Sequence, residues 1–133
     1  MDHPLAEAEA QLLADPRWLQ GVALFNAAEW YPCHDLLEDL WHGTQGPLRP
    51  VLQGILQIAV AHLHLERDNR RGATILLGEG LGRLRDAGPT ALAVDLDSLR
   101  LATSQRLLAL QAGADPSGCP VPRLLPAAGL PSS

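Results

Sequence analysis

Between Val51 and Leu65 the chain is apolar on almost every side of a helical wheel, interrupted only by Gln53, Gln57, His62 and His64. A helix of that kind needs neighbours all around it, so this segment, expected as a helix over about Pro47 to Asp68, belongs at the centre of a bundle. The rest of the chain supplies those neighbours. Asp15-Pro16 pairs an N-cap with a proline at the first helical position, opening a helix to about Glu29. Tyr31-Pro32 breaks the chain, and a second helix runs from there to Gly43. After the central helix, Asn69 marks a stop, a fourth helix covers about Arg71 to Asp86, and a last one starts at Leu92 or Asp95 and ends at Gln111. No segment reads as a strand pair.

The expected fold is therefore all-α, a compact bundle of about five helices built from helical hairpins. It occupies residues 1–112, and a loosely held Pro/Gly/Ser-rich tail covers 113–133. At 133 residues the chain can bury a core as a single domain. The apolar run is too interrupted to span a bilayer, and the acidic N-terminus lacks the basic start of a secretory signal. The expectation is a cytoplasmic protein with no membrane partner. A net charge of −5 argues against nucleic acid as a partner. Cys33 and Cys119 form no disulfide framework and are expected as free thiols. The Gly78–Gly82 stretch, G-E-G-L-G, lies inside a helical pattern with no strand before it, so it reads as a site of close helix packing rather than a phosphate loop.

Polar groups concentrate in Y-P-C-H-D-L-L-E-D-L-W-H, Tyr31 to His42. From Trp18 to Leu48 there is no Arg or Lys, so negative charge gathers there, together with all five aromatic residues. On the wheel, Cys33, Leu36, Leu37 and Leu40 form the apolar arc. His34 and Glu38 stand beside it with Trp41, while Asp35, Asp39 and His42 point to solvent. The i, i+4 pair His34 and Glu38 could ligate a divalent metal, or Glu38 could orient the imidazole as a general base. It could equally be a hydrogen-bonded pair that ties helices together.

On the central helix Gln53, Gln57 and His64 fall within about 40° of one another. They are expected to meet His34 and Glu38 if the two helices pack antiparallel. His62 lies on nearly the opposite side. His62 and Glu66 repeat the i, i+4 spacing, but order and facing make a di-metal bundle site an unfavoured reading.

The combination F-N-A-A-E-W-Y-P-C-H-D-L-L-E-D-L-W, Q-G-I-L-Q-I-A-V-A-H-L-H-L and N-R-R-G-A, spanning about Trp18 to Leu84, resembles the domain-of-unknown-function family 309. That resemblance implies a small, all-helical, bacterial or archaeal protein with no assigned activity. It points to Phe25, Asn26, His34, Glu38, Trp41, Gln53, Gly54, Gln57, His64, Asn69, Gly72 and Ala73, and favours His64 over His62. It also brings Asn26 and Asn69 into the polar network.

Two readings stay open. In the first, His34, Glu38, Gln53, Gln57 and His64 line a pocket for a small ligand or a divalent metal, with His34, Glu38 and His64 as ligands. Hydrolytic or proton-transfer chemistry would then rest on His34 and Glu38. In the second, the same groups form a structural network in a non-enzymatic binding or assembly module, whose apolar surface would suit a homodimer.

Overall fold

A computed structural model describes residues 4–127. It contains six α-helices: α1 (Pro4–Ala14), α2 (Pro16–Asn26), α3 (Trp30–His42), α4 (Leu48–Glu66), α5 (Arg70–Leu84) and α6 (Leu96–Gln111). The all-α expectation holds, with α4 at the centre. Ten of its residues are buried, among them Leu52, Ile55, Ile58 and Ala59. None of the described helices is long and apolar enough to cross a membrane.

Local chemistry accounts for the boundaries. The Asp15 carboxylate accepts from the Arg17 backbone N–H at 2.9 Å and so caps α2. The α2 helix closes at Asn26, three residues earlier than expected, because Ala28 adopts a left-handed conformation (φ 57°). The Glu29 N–H then reaches back to the Leu24 carbonyl at 2.9 Å, a helix-terminating wrap usually given to glycine. The α3 helix starts at Trp30, which places Pro32 in the first turn, where its missing N–H costs nothing. Its buried residues Trp30, Cys33, Leu37 and Leu40 recur at threes and fours. Helices α2 and α3 approach closely at Gly21, whose carbonyl accepts a 3.4 Å hydrogen bond from the Cys33 thiol. Burial pushes that thiol's pKa up to about 12, so Cys33 is an inert core residue, and Cys119 is also unpaired with another cysteine.

Three features depart from the sequence-based expectation. Helix α1 was not foreseen. A short antiparallel pair, β1 (Thr90–Ala91) with β2 (Val94–Asp95), precedes α6. Its two-residue turn is Leu92-Ala93, both at positive φ (52° and 59°), where Asn-Gly is the usual signal. Asp95 ends the hairpin and caps α6, accepting from the Ser98 N–H at 3.0 Å.

The third departure concerns the expected tail. Residues 113–127 pack on the bundle, while 128–133 lie outside the described residues. Leu124 is buried, Val94 bridges to Pro126, and a single 3-10 turn, Pro116–Gly118, follows α6. Asn26 clasps the strap from α2. Its amide donates to the Leu124 carbonyl at 3.0 Å, and its carbonyl accepts from the Leu124 N–H at 2.7 Å. Replacing Asn26 with alanine strands both backbone groups and should cost about 2 kcal/mol in urea denaturation. Asn26→Asp, which keeps only the acceptor, should fall between the two. An unchanged midpoint for Asn26→Ala would show that the clasp contributes nothing.

Candidate functional site

Helix α3 places His34 and Glu38 at the edge of the core, as the wheel requires. His34 Nε2 lies 2.9 Å from Glu38 Oε2, with side chains 27% and 47% exposed. Asp35 Oδ1 stands 3.2 Å from His34 Nδ1 but off hydrogen-bond geometry, so that buried nitrogen has no proper partner. Asp35, Asp39 and His42 project to solvent as expected. The negative charge of α3 is answered from its flanks. Arg17 pairs with both Asp15 and Asp39, and Arg49 lies 4.2 Å over the Trp41 ring while donating to the Trp41 and Thr44 carbonyls. The Trp41 Nε1 atom is buried without a partner.

The polar stripe of α4 turns elsewhere. Gln57 donates to Glu79 on α5 at 3.0 Å. His64 meets the amide of Asn69 at 3.1 Å, and Asn69 caps α5 through the Gly72 N–H at 2.9 Å. Gln53 is half-buried. Among the described residues no hydrogen bond joins His34 or Glu38 to Gln53, Gln57 or His64. Nor do any three His, Cys, Asp or Glu side chains there gather around a point that could hold a metal ion. Asn26 serves the strap described above. The candidates are thus not gathered at one point: His34 and Glu38 pair along α3, Trp41 meets Arg49, Gln57 reaches α5, His64 meets Asn69, and Asn26 holds the strap.

The opposite side of α4 carries a group that the sequence reading set aside. His62 is 3% exposed and stacks on Trp30, with ring centroids 4.7 Å apart. Trp30 in turn meets Phe25 edge-on at 5.1 Å. His62 Nδ1 lies 2.8 Å from the Ile58 carbonyl of its own helix, a contact that requires Nδ1 to carry the proton. Nε2 is left as a lone-pair acceptor, closed off from solvent and without a partner. Burial, reinforced by the nearby Arg106 charge, pushes the imidazole pKa down to about 4. The ring is neutral at physiological pH.

His62 and Trp30 line a cavity of about 350 Å³ between the α2–α3 turn, the end of α4, α6 and the strap. Arg106 also lines it, 7% exposed on the buried stripe of α6 beside Leu99, Thr103 and Leu110. Its Nε donates to the Pro120 carbonyl at 3.0 Å and its Nη2 to the Cys119 carbonyl at 2.9 Å. Among the described residues Nη1 has no such bond and no carboxylate comes within ion-pair distance. Burial lowers the Arg106 pKa, against the opposing fields of Cys119 and Asp115. The exposed rim carries Glu66, Asp68, Arg70 and Asp115.

The molecule is thus a small helical bundle, and one of its cavities is lined by a flat aromatic ring, a neutral imidazole and a buried cation. Residues 18–76, from α2 into α5, match the model of the domain of unknown function DUF309. No curated protein matches the chain. Arg106 and the strap lie beyond the matched segment. The signal for Arg106 was available, since it sits among Leu99, Thr103 and Leu110 at core spacing. Nothing in the local pattern marked the stacking of His62 on Trp30.

Proposed function

We propose that the protein is a non-enzymatic small-molecule-binding module whose site is the Trp30–His62–Arg106 cavity. The polar residues of α3 and the far side of α4 hold the helices in register. The observation that carries this reading is the buried Arg106 guanidinium in the lining of a 350 Å³ cavity, fastened to the Pro120 and Cys119 carbonyls and without an ion-pair partner among the described residues. A buried cation without a counter-charge is costly to hold, a cost that a bound anion would offset. The cavity lies in the size range of small-molecule sites and has their mixed aromatic and polar lining. Against a catalytic role for His34 and Glu38 stands their environment. They form an open pair beside Asp35, and two of their expected partners on α4, Gln57 and His64, are engaged with α5 and its cap.

A fragment screen followed by protein NMR separates these sites. Bound fragments should move the Trp30 indole and His62 imidazole signals and leave those of His34 and Trp41 in place. His34→Ala should lower the melting temperature by a few degrees without changing fragment affinity. Fragments that cluster at His34 and Glu38, or that lose affinity in His34→Ala, would return the site to α3.

A further inference from the structure

We infer that the cavity is built to hold a free α-amino acid by both its charged heads, the carboxylate on Arg106 and the ammonium among Asp115, Glu66 and Asp68 at the rim. This inference rests on the cavity being the binding site and adds the chemistry of its ligand. Arg106 is 7% exposed, lines the cavity, and commits its Nε and Nη2 to the Pro120 and Cys119 carbonyls. Among the described residues its Nη1 has no partner. Nor is Nη1 one of the partnerless nitrogens sealed from solvent, which belong to His34, Trp41 and His62. An accessible guanidinium nitrogen with no counter-charge calls for an anion, and a planar carboxylate fits it.

The rim carries the opposite sign. Glu66, Asp68 and Asp115 are exposed carboxylates, and among the described residues none of them is in an ion pair. The one cation beside them, Arg70, turns its Nη2 to the Ala114 carbonyl. A plain anion would have to sit near three acids, and a plain cation near a buried guanidinium. A ligand with both charges meets neither penalty. Asp115 and Arg106 stand beyond ion-pair distance, yet each acts on the other's ionisation. The Ser117 N–H first, then Arg70 and Arg106, hold the Asp115 carboxyl below the usual carboxylate range. The Asp115 field in turn opposes the burial that lowers the Arg106 pKa. Two opposite charges that feel each other without touching leave a gap for a small dipolar group.

Trp30, Leu65 and Val121 in the same lining offer an apolar wall for the side chain of such a ligand. A free amino acid is favoured over a peptide because both its charges sit on one carbon, whereas a peptide carries its terminal amine and carboxylate on different residues. A cavity of about 350 Å³ is also at the lower end of small-molecule sites, which suits one compact molecule. Each head makes a charge-assisted contact, so removing either one should weaken binding by about tenfold or more.

Alanine, leucine and phenylalanine test this, each beside the acid that lacks its amino group and the amine that lacks its carboxylate. All are titrated into the wild-type protein and into Asp115→Asn, following the Trp30 indole signal by NMR. An asparagine can still accept from the Ser117 N–H, so the turn that Asp115 caps is kept. At least one amino acid should bind about tenfold more tightly than its matching acid and its matching amine. In Asp115→Asn that amino acid should lose affinity severalfold while the matching acid gains. The substitution removes an attraction for the first and a repulsion for the second, whereas a structural disturbance would weaken both. The wild-type series decides by itself should the variant fail to fold. An acid that matches its amino acid, or an Asp115→Asn effect of the same sign on both, overturns the ammonium contact. An amine that matches its amino acid overturns the carboxylate contact. In either case the cavity remains a binding site. If none of these probes moves the Trp30 signal while screened fragments do, the ligand class falls and the cavity reading stands; if neither does, both fall.

Discussion

Gly54→Val should destabilise the protein by about 3 kcal/mol and lower its melting temperature by about 10 °C. Helices α4 and α5 touch backbone to backbone at Gly54 and Gly80. A Cβ on Gly54 would stand 2.8 Å from Leu84 Cγ, 2.9 Å from Leu84 Cδ2 and 3.0 Å from the Gly80 carbonyl oxygen. A Cβ on Gly80 would meet the Gly54 carbonyl oxygen and Ile58 Cγ1, each at 3.0 Å. Leu84 is fully buried and has nowhere to retreat, so a branched side chain must push the two helices apart. The same G-E-G-L-G stretch contains its own control. A Cβ on Gly82 meets nothing within 4 Å, so Gly82→Ala should stabilise α5 by up to about 1 kcal/mol through helix propensity. Opposite signs from Gly54→Val and Gly82→Ala are the expected result, and similar melting curves for the two variants would refute the close-packing account.

Acidification should weaken the fold through His62. Its imidazole titrates near 6.5 in the unfolded chain and near 4 when folded, because burial disfavours the charged ring. Between those values the unfolded state takes up a proton that the native state refuses. The contribution is therefore fully present above about pH 6.5 and is lost progressively as pH falls toward 4. At 1.36 kcal/mol per pKa unit the full loss is about 3 kcal/mol. Denaturant unfolding of the wild-type protein at pH 7.5, 5.5 and 4.0 should trace this decline, and His62→Phe should flatten it. Asp15, Asp95 and Asp115, held below the usual carboxylate range by hydrogen bonds within their own turns, retain their own acid sensitivity in both proteins and cancel in the comparison. Equal slopes for the two proteins between pH 6.5 and 4 would remove His62 as the cause.

The two predictions also mark what local pattern can and cannot convey. Helix α4 was legible because a segment apolar on nearly every side has few places to go, and the cap at Asp15 was legible because it acts within two residues. The Leu92-Ala93 turn was not. It carries ordinary side chains at left-handed positions, held by long-range ties such as the 3.0 Å bond from the Leu92 N–H to Glu9 of α1. The strap was misjudged for a related reason. A Pro-rich composition has no periodicity of its own, and the groups that fasten it, Asn26 and Arg106, belong to other elements. For the polar residues, the wheel placed His62 and His64 on opposite sides of α4 correctly. It could not say which side faced Trp30 and which faced the cap at Asn69, because α4 has neighbours on both sides.

The clasp between Asn26 and Leu124 joins residues 98 positions apart, so its two halves leave the ribosome at very different times. Through most of synthesis α2 must wait with an uncompleted edge, and the cavity floor lacks both Arg106 and the carbonyls that hold it. Helices α2 to α5 can pair early through near-neighbour contacts, but the cavity comes into being only when the strap closes. Binding competence is therefore a property of the finished chain, acquired in one late step, while most of the helical content is already in place.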